Sequence, residues 1–167
     1  MKRKLLILLP ILLVGVALDL VTKQLVLQHL PLGSQMPVIK GFFNLVHVLN
    51  RGSAFGLFAS WSLDFLRVFF VFTTSIVLVV VGYLWWRLPE GQNLAALGYS
   101  LIMAGALGNL VDRVFRRGEV VDFLDFYWGR YHWPAFNVAD TLICLGAGFL
   151  VLVILREEKE VNVSDTA

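Results

Sequence analysis

Charge is what this sequence has least of. Only 16% of its 167 residues are Asp, Glu, Lys or Arg, while 58% are hydrophobic. A soluble globular domain carries about a quarter charged residues, so the composition reads as an integral membrane protein. Cysteine is nearly absent. Cys144 is the single one, which excludes an internal disulfide and any Cys-based zinc site. Its neighbours Leu142, Ile143 and Leu145 suggest a packed core residue. The histidines His29, His47 and His132 sit apart, without metal-ligand spacing. No serine lies in a nucleophile elbow, and no glycine-rich phosphate loop is present. A net charge of +2 with no basic patch interleaved with aromatics excludes a nucleic-acid partner.

Long uncharged runs are what the sequence does have. Lys2, Arg3 and Lys4 precede a largely apolar stretch from Leu5 to Leu27 whose only charges are Asp19 and Lys23. The basic start and the first uncharged stretch have the form of a signal peptide. The continuation past Asp19, with no clear small-residue cleavage site, reads instead as a retained helix of about 34 Å, enough to span a bilayer. Asp19 and Lys23 are four apart, on one helix face, spaced for a salt bridge. Further spans are expected over about 67–87, 94–112 and 138–155. Tyr83, Trp85 and Trp86 are expected at an interface, and Ala104, Gly105 and Gly108 form a small-residue packing face. Residues 88–93, with Pro89 and Gly91, make a tight turn.

Between the spans lie two polar segments. Residues 28–66 are punctuated by Pro31, Gly33, Pro37 and Gly41. Val38–Leu49 reads as extended strand, with a turn at Asn50–Ser53. A small surface sheet is expected there, with an edge able to pair with an extended peptide. The second segment, 113–137, is a loop rich in charge. The expected fold is therefore an all-α integral membrane protein, four transmembrane helices in one domain with a small extracytoplasmic sheet or loop cap. Both termini and the 88–93 turn are expected in the cytoplasm. The N-terminal basic cluster and the even span count support that orientation. The arginines between spans three and four oppose it, unless they pair with acids.

Gly105–Asp140 concentrates the chemistry. It holds Asp112, Asp122, Asp125 and Asp140 beside Arg113, Arg116, Arg117 and Arg130. Single residues there have ordinary readings. Asp112 and Arg113 suit an interfacial ion pair, and Asn137 or Asp140 suits a helix N-cap. The whole set does not, because charge near a bilayer is costly. Two adjacent carboxyls in low dielectric share a proton near neutral pH. One then activates a water while the other protonates a carbonyl oxygen. Spacing leaves open which two of the four aspartates pair. An ion-conducting or purely scaffolding protein is the competing reading. The clustering of acids at one face, with none in the centres of the later spans, favours chemistry.

Five blocks carry a resemblance: Asp19–Lys23 (DLVTK), Asn50–Phe55 (NRGSAF), Gly108–Arg113 (GNLVDR), Val120–Phe126 (VVDFLDF) and Phe136–Asp140 (FNVAD). In this order, with four spans, the sequence resembles the bacterial lipoprotein signal peptidases, or signal peptidase II. The resemblance implies catalytic roles for Asp122 and Asp140. It implies binding or supporting roles for Asn50, Gly52, Asn109, Asp112, Arg113 and Asn137, and structural ones for Asp19 and Lys23. It implies no metal and no cofactor. The implied substrates are diacylglyceryl prolipoproteins, cut just before the lipidated cysteine in the bacterial cytoplasmic membrane. Membrane lipids and globomycin-type inhibitors are the other implied ligands. Nothing in the sequence requires more than a monomer.

Overall fold

The computed structural model describes residues 2–52 and 61–164. Ser53, Ala54 and Phe55 of the NRGSAF block lie outside the described residues. The helices are α1 (Lys2–His29), α2 (Leu63–Arg87), α3 (Asn93–Phe115) and α4 (Val138–Ser164). All four are long and apolar enough to cross a membrane. Each reaches or passes the bounds expected from hydropathy, because a helix continues into its flanking polar residues until a cap or turn stops it. Pro10 is accommodated within α1.

Helix α3 lies at the centre, packed against the other three. Its small residues are the reason. A side chain at Gly105 would run into the Ala139 carbonyl of α4. One at Gly108 would place its Cβ 2.5 Å from Asp19 Oδ2. Small residues let backbones approach where apolar burial against lipid gives little drive for helix association. At the far end, Lys4 is buried and its ammonium donates to the Trp85, Trp86 and Leu88 carbonyls at 3.3, 3.1 and 2.6 Å. It satisfies the free C-terminal carbonyls of α2 with a cation, as the helix dipole favours. Trp85 is thereby buried under Lys4. Of the three expected interfacial aromatics only Tyr83 and Trp86 are exposed.

The polar segments form a four-stranded antiparallel sheet in the order β1 (Gln35–Ile39), β2 (Phe43–Asn50), β3 (Val120–Trp128), β4 (Tyr131–His132). The expected Val38–Leu49 strand is two strands, broken at Gly41, whose φ of 84° suits a turn that only glycine enters freely. Strand β1 is exposed throughout and forms one edge. The larger difference concerns the VVDFLDF block. It is not loop but the nine-residue strand β3, paired with β2 from Asn50↔Val120 to Phe43↔Phe126. Its charges hid the β-branched and aromatic residues that favour a strand. Val121 and Phe123 pack with Val26 of α1 in a small core, which ties the sheet to the ends of the helices.

Candidate functional site

Strand β3 brings Asp122 beside the start of α4. Asn137 stands at the N-cap of that helix, and its Oδ1 accepts from the Asp140 N–H at 3.0 Å. The Asp140 carboxylate accepts in return from the Asn137 N–H at 3.2 Å. This is a reciprocal capping box built with aspartate, so both expected caps are used. The Nδ2 of Asn137 then donates to Asp122 Oδ1 at 2.7 Å. Asn137 thus touches both carboxyl groups. From β2, Asn50 Nδ2 donates to Asp122 Oδ2 at 2.9 Å, while its Oδ1 accepts from the Gly52 N–H at 2.7 Å. From α3, Asn109 Nδ2 donates to Asp140 Oδ1 at 2.8 Å. Three amides from three elements therefore hold two acids.

Asp122 is 2% exposed, and no ion pair is formed to it among the described residues. Burial pushes its pKa up to about 7. The Asn50 hydrogen bond opposes that rise, the charge of Asp140 adds to it, and Asn137 and Lys23 oppose it. A carboxyl in this state carries a proton for much of the time near neutral pH.

A second cluster lies behind the first. Lys23 Nζ is fully buried and sits 2.7 Å from Asp19 Oδ2, 3.0 Å from Asp112 Oδ2 and 3.0 Å from Asn109 Oδ1. Asp112 pairs also with Arg116 at 2.8 Å and accepts from the Val121 N–H at 3.3 Å. Asp19 Oδ1 accepts from the Ala139 N–H at 2.9 Å, joining α1 to the first turn of α4. The Asp19–Lys23 bridge is thus present. The expected Asp112–Arg113 pair is not. Asp112 takes Arg116, one helical turn on, and Lys23. Arg113 donates to the Gly118 carbonyl at 2.9 Å and lies over the Phe70 ring, 4.1 Å from its centroid. Gly52, at φ 85°, has no room for a side chain beside that same ring.

Asp125 belongs to neither cluster. It accepts from Asn44 Nδ2 at 2.7 Å and pairs with His132 Nδ1 at 2.8 Å. These partners hold β3 to its neighbours. Cys144 is exposed rather than packed in the core. It lines an apolar cleft of about 840 Å³ that runs from Asp140 and Thr141 past Phe136 and Trp133. Among the described residues, no three His, Cys, Asp or Glu side chains come together as a metal-binding group.

Sequence reasoning found the residues of the site but not the links between Lys23 and Asp112, or between Asp125 and His132. The four-residue spacing of Asp112 and Arg116 was a usable signal. Lys23 and Asp112 are distant in sequence, and Asp125 meets His132 only through the β3–β4 pairing.

Known proteins agree with this architecture. The sequence profile of the family described as signal peptidase (SPase) II matches residues 11–156. The lipoprotein signal peptidase of Desulforapulum autotrophicum is 52% identical over 131 residues, covering 78% of this chain and 80% of that protein. That of Geobacter sulfurreducens is 45% identical over 145 residues, covering 87% and 89%. A solved structure described as a bacterial membrane enzyme superposes with a TM-score of 0.81 at 30% identity, covering 96% of this chain and 92% of that one. With its four apolar helices and this likeness across most of its length, the chain belongs to the signal peptidase II family of bacterial membrane peptidases.

Proposed function

We propose that the chain is an aspartic endopeptidase that removes signal peptides from diacylglyceryl-modified prolipoproteins, cutting just before the lipidated cysteine. One observation carries this reading. The Asp122 and Asp140 carboxyls both accept from Asn137, the first from its side-chain Nδ2 and the second from its backbone N–H, and Asp122 is buried with amides rather than a cation as its partners. Two carboxyls so placed hold one proton between them near neutral pH.

The reaction then runs in two proton exchanges. Asp140, as carboxylate, takes a proton from a water whose oxygen attacks the scissile carbonyl carbon. Asp122 gives its proton to the carbonyl oxygen, so the intermediate is a neutral gem-diol. In the second exchange Asp140 returns its proton to the leaving nitrogen, the C–N bond breaks, and Asp122 recovers a proton from a gem-diol hydroxyl. No metal and no covalent intermediate are needed. Asn50, Gly52, Asn109 and Asn137 orient the acids, while Asp112, Asp19 and Lys23 hold the helices that carry them. Arg113 adds positive charge beside the pair.

The substrate enters along the apolar cleft beside Asp140, where its signal helix and acyl chains remain in lipid. The sheet and the site face the extracytoplasmic side of the inner membrane, with both termini in the cytoplasm, as the basic N-terminus and the even span count support. The enzyme works as a monomer, and globomycin-type inhibitors compete for the same cleft. The test is purified protein with a synthetic diacylglyceryl prolipoprotein peptide, products read by mass spectrometry. The expected product begins at the lipidated cysteine and forms equally well in EDTA. Folded protein that leaves the peptide intact, or loss of activity to EDTA restored by zinc, overturns the reading.

A further inference from the structure

The effect of an amide on a carboxyl depends on which end faces it. An NH2 group favours the ionised acid, whereas a carbonyl oxygen in the same place favours the protonated one. Two of the three site amides are turned by backbone N–H groups, Asn50 by Gly52 and Asn137 by Asp140. Asn109 alone is turned by a side chain from another helix. Its Oδ1 accepts from Lys23 Nζ at 3.0 Å and from Asn137 Nδ2 at 3.3 Å. An ammonium has donors only, so the atom facing Lys23 is oxygen, and Nδ2 is left for Asp140 Oδ1. Lys23 is itself fixed on both sides, by Asp19 and Asp112, with no exposure to solvent.

We propose that Lys23 is a positioning residue for the reaction: by holding the oxygen of Asn109 it turns the amide NH2 onto Asp140, which favours the negative charge on Asp140. The proposal rests on the two-aspartate reading and assigns the two acids their separate parts. Each aspartate receives two N–H donors, two side-chain amides at Asp122 and one side-chain amide with one backbone N–H at Asp140, so donor number alone does not distinguish them. Lys23 does, because its contact reaches Asp140 through one amide and Asp122 only through two. The other charged groups around the pair are Asp19 on α1, Asp112 and Arg113 on α3, and His132 along the cleft. Arg67 on α2 is turned away, onto the Val114 carbonyl.

The experiment is the pH profile of kcat/KM for wild type, Lys23→Met, Lys23→Arg, Asn109→Ala and Asp112→Asn, each checked for folding in detergent. With Lys23→Met, the Asn109 oxygen keeps only the longer Asn137 contact, the amide is held less firmly, and the acid limb of the profile moves up by about one unit. Lys23→Arg keeps a donor-only cation and restores the wild-type limb even where kcat is lower. Asn109→Ala breaks the relay while leaving the Lys23 ion pairs intact, so it moves the acid limb in the same direction. It carries the test if Lys23→Met does not fold. Asp112→Asn removes two ion pairs, to Lys23 and Arg116, without freeing Asn109, so the limb stays while thermal stability falls. Wild-type limbs in both Lys23→Met and Asn109→Ala, or in Asn109→Ala alone where Lys23→Met does not fold, overturn the proposal and leave Lys23 a structural residue. Asp122→Asn and Asp140→Asn assayed in the same series separate this outcome from failure of the two-aspartate reading, which alone predicts that both are inactive.

Discussion

Asp112 and Asp122 stand ten residues apart in the sequence and are almost equally buried, at 0% and 2% exposure. Their surroundings differ in one respect. Asp112 is neutralised by two cations, Lys23 and Arg116. Asp122 is held by two neutral amides, Asn50 and Asn137. A buried carboxylate with matched cations works as a brace. Leaving one such partner unpaired is costly, so the arrangement resists change. A buried carboxyl surrounded by amides keeps both protonation states within reach, because hydrogen bonds favour the charge while desolvation opposes it. Burial alone therefore does not mark a reactive acid; the kind of compensation does.

The largest test of this contrast is on turnover. Asp122→Asn and Asp140→Asn each lower kcat by about a thousandfold or more, measured with the diacylglyceryl peptide, while the protein still inserts in membranes. Cleavage retained in either variant removes that residue from the pair and dissolves the contrast.

The pH dependence comes next. On the proposed mechanism the proton on Asp122 is required, and it is lost through about pH 7, so kcat/KM falls roughly tenfold per unit well above that value. The sign for stability follows from the same shift. A carboxyl raised in the folded state contributes stability that is full below its unfolded pKa and lost as pH rises toward the folded one. Between about pH 4 and 7 this single group removes on the order of 4 kcal/mol, and Asp122→Asn flattens that loss. A wild-type melting profile with no more pH dependence than that of Asp122→Asn counts against a raised Asp122.

On the other side of the comparison, Asp112→Asn costs on the order of 3 kcal/mol, because Lys23 and Arg116 lose a shared partner. Thermal unfolding in detergent reads it. A wild-type melting temperature would show that the cations do not need Asp112. The smallest effect is at Asp125, whose partners Asn44 and His132 lie outside the reactive cluster. Asp125→Asn keeps turnover within about tenfold of wild type and loses about 1 kcal/mol. An inactive, folded variant would bring Asp125 into the reaction.

The four spans were legible in the sequence because hydropathy is a local property. Any window of about twenty apolar residues between polar ends declares itself. The Asp19–Lys23 bridge was legible for the same reason, since both residues lie within one helical turn. The FNVAD cap could be read too, as Asn137 and Asp140 are neighbours on a helix start. Strand β3 was not, because a charged strand looks like a loop until its partner is known, and β2 lies some seventy residues earlier. Asp112 was matched to Arg113, its nearest cation along the chain, whereas the fold supplies Arg116 and, from α1, Lys23.

By itself, the sequence determined that this chain lives in a membrane, crosses it with four helices and gathers four aspartates around the segment between the last two. Apolar content and spacing suffice for that. The division of those acids into ones paired with cations and ones held by amides was decided only by tertiary structure. Whether a carboxyl meets an ammonium or an amide depends on side chains from other helices and strands, brought within hydrogen-bond reach when small residues on α3 let the backbones close.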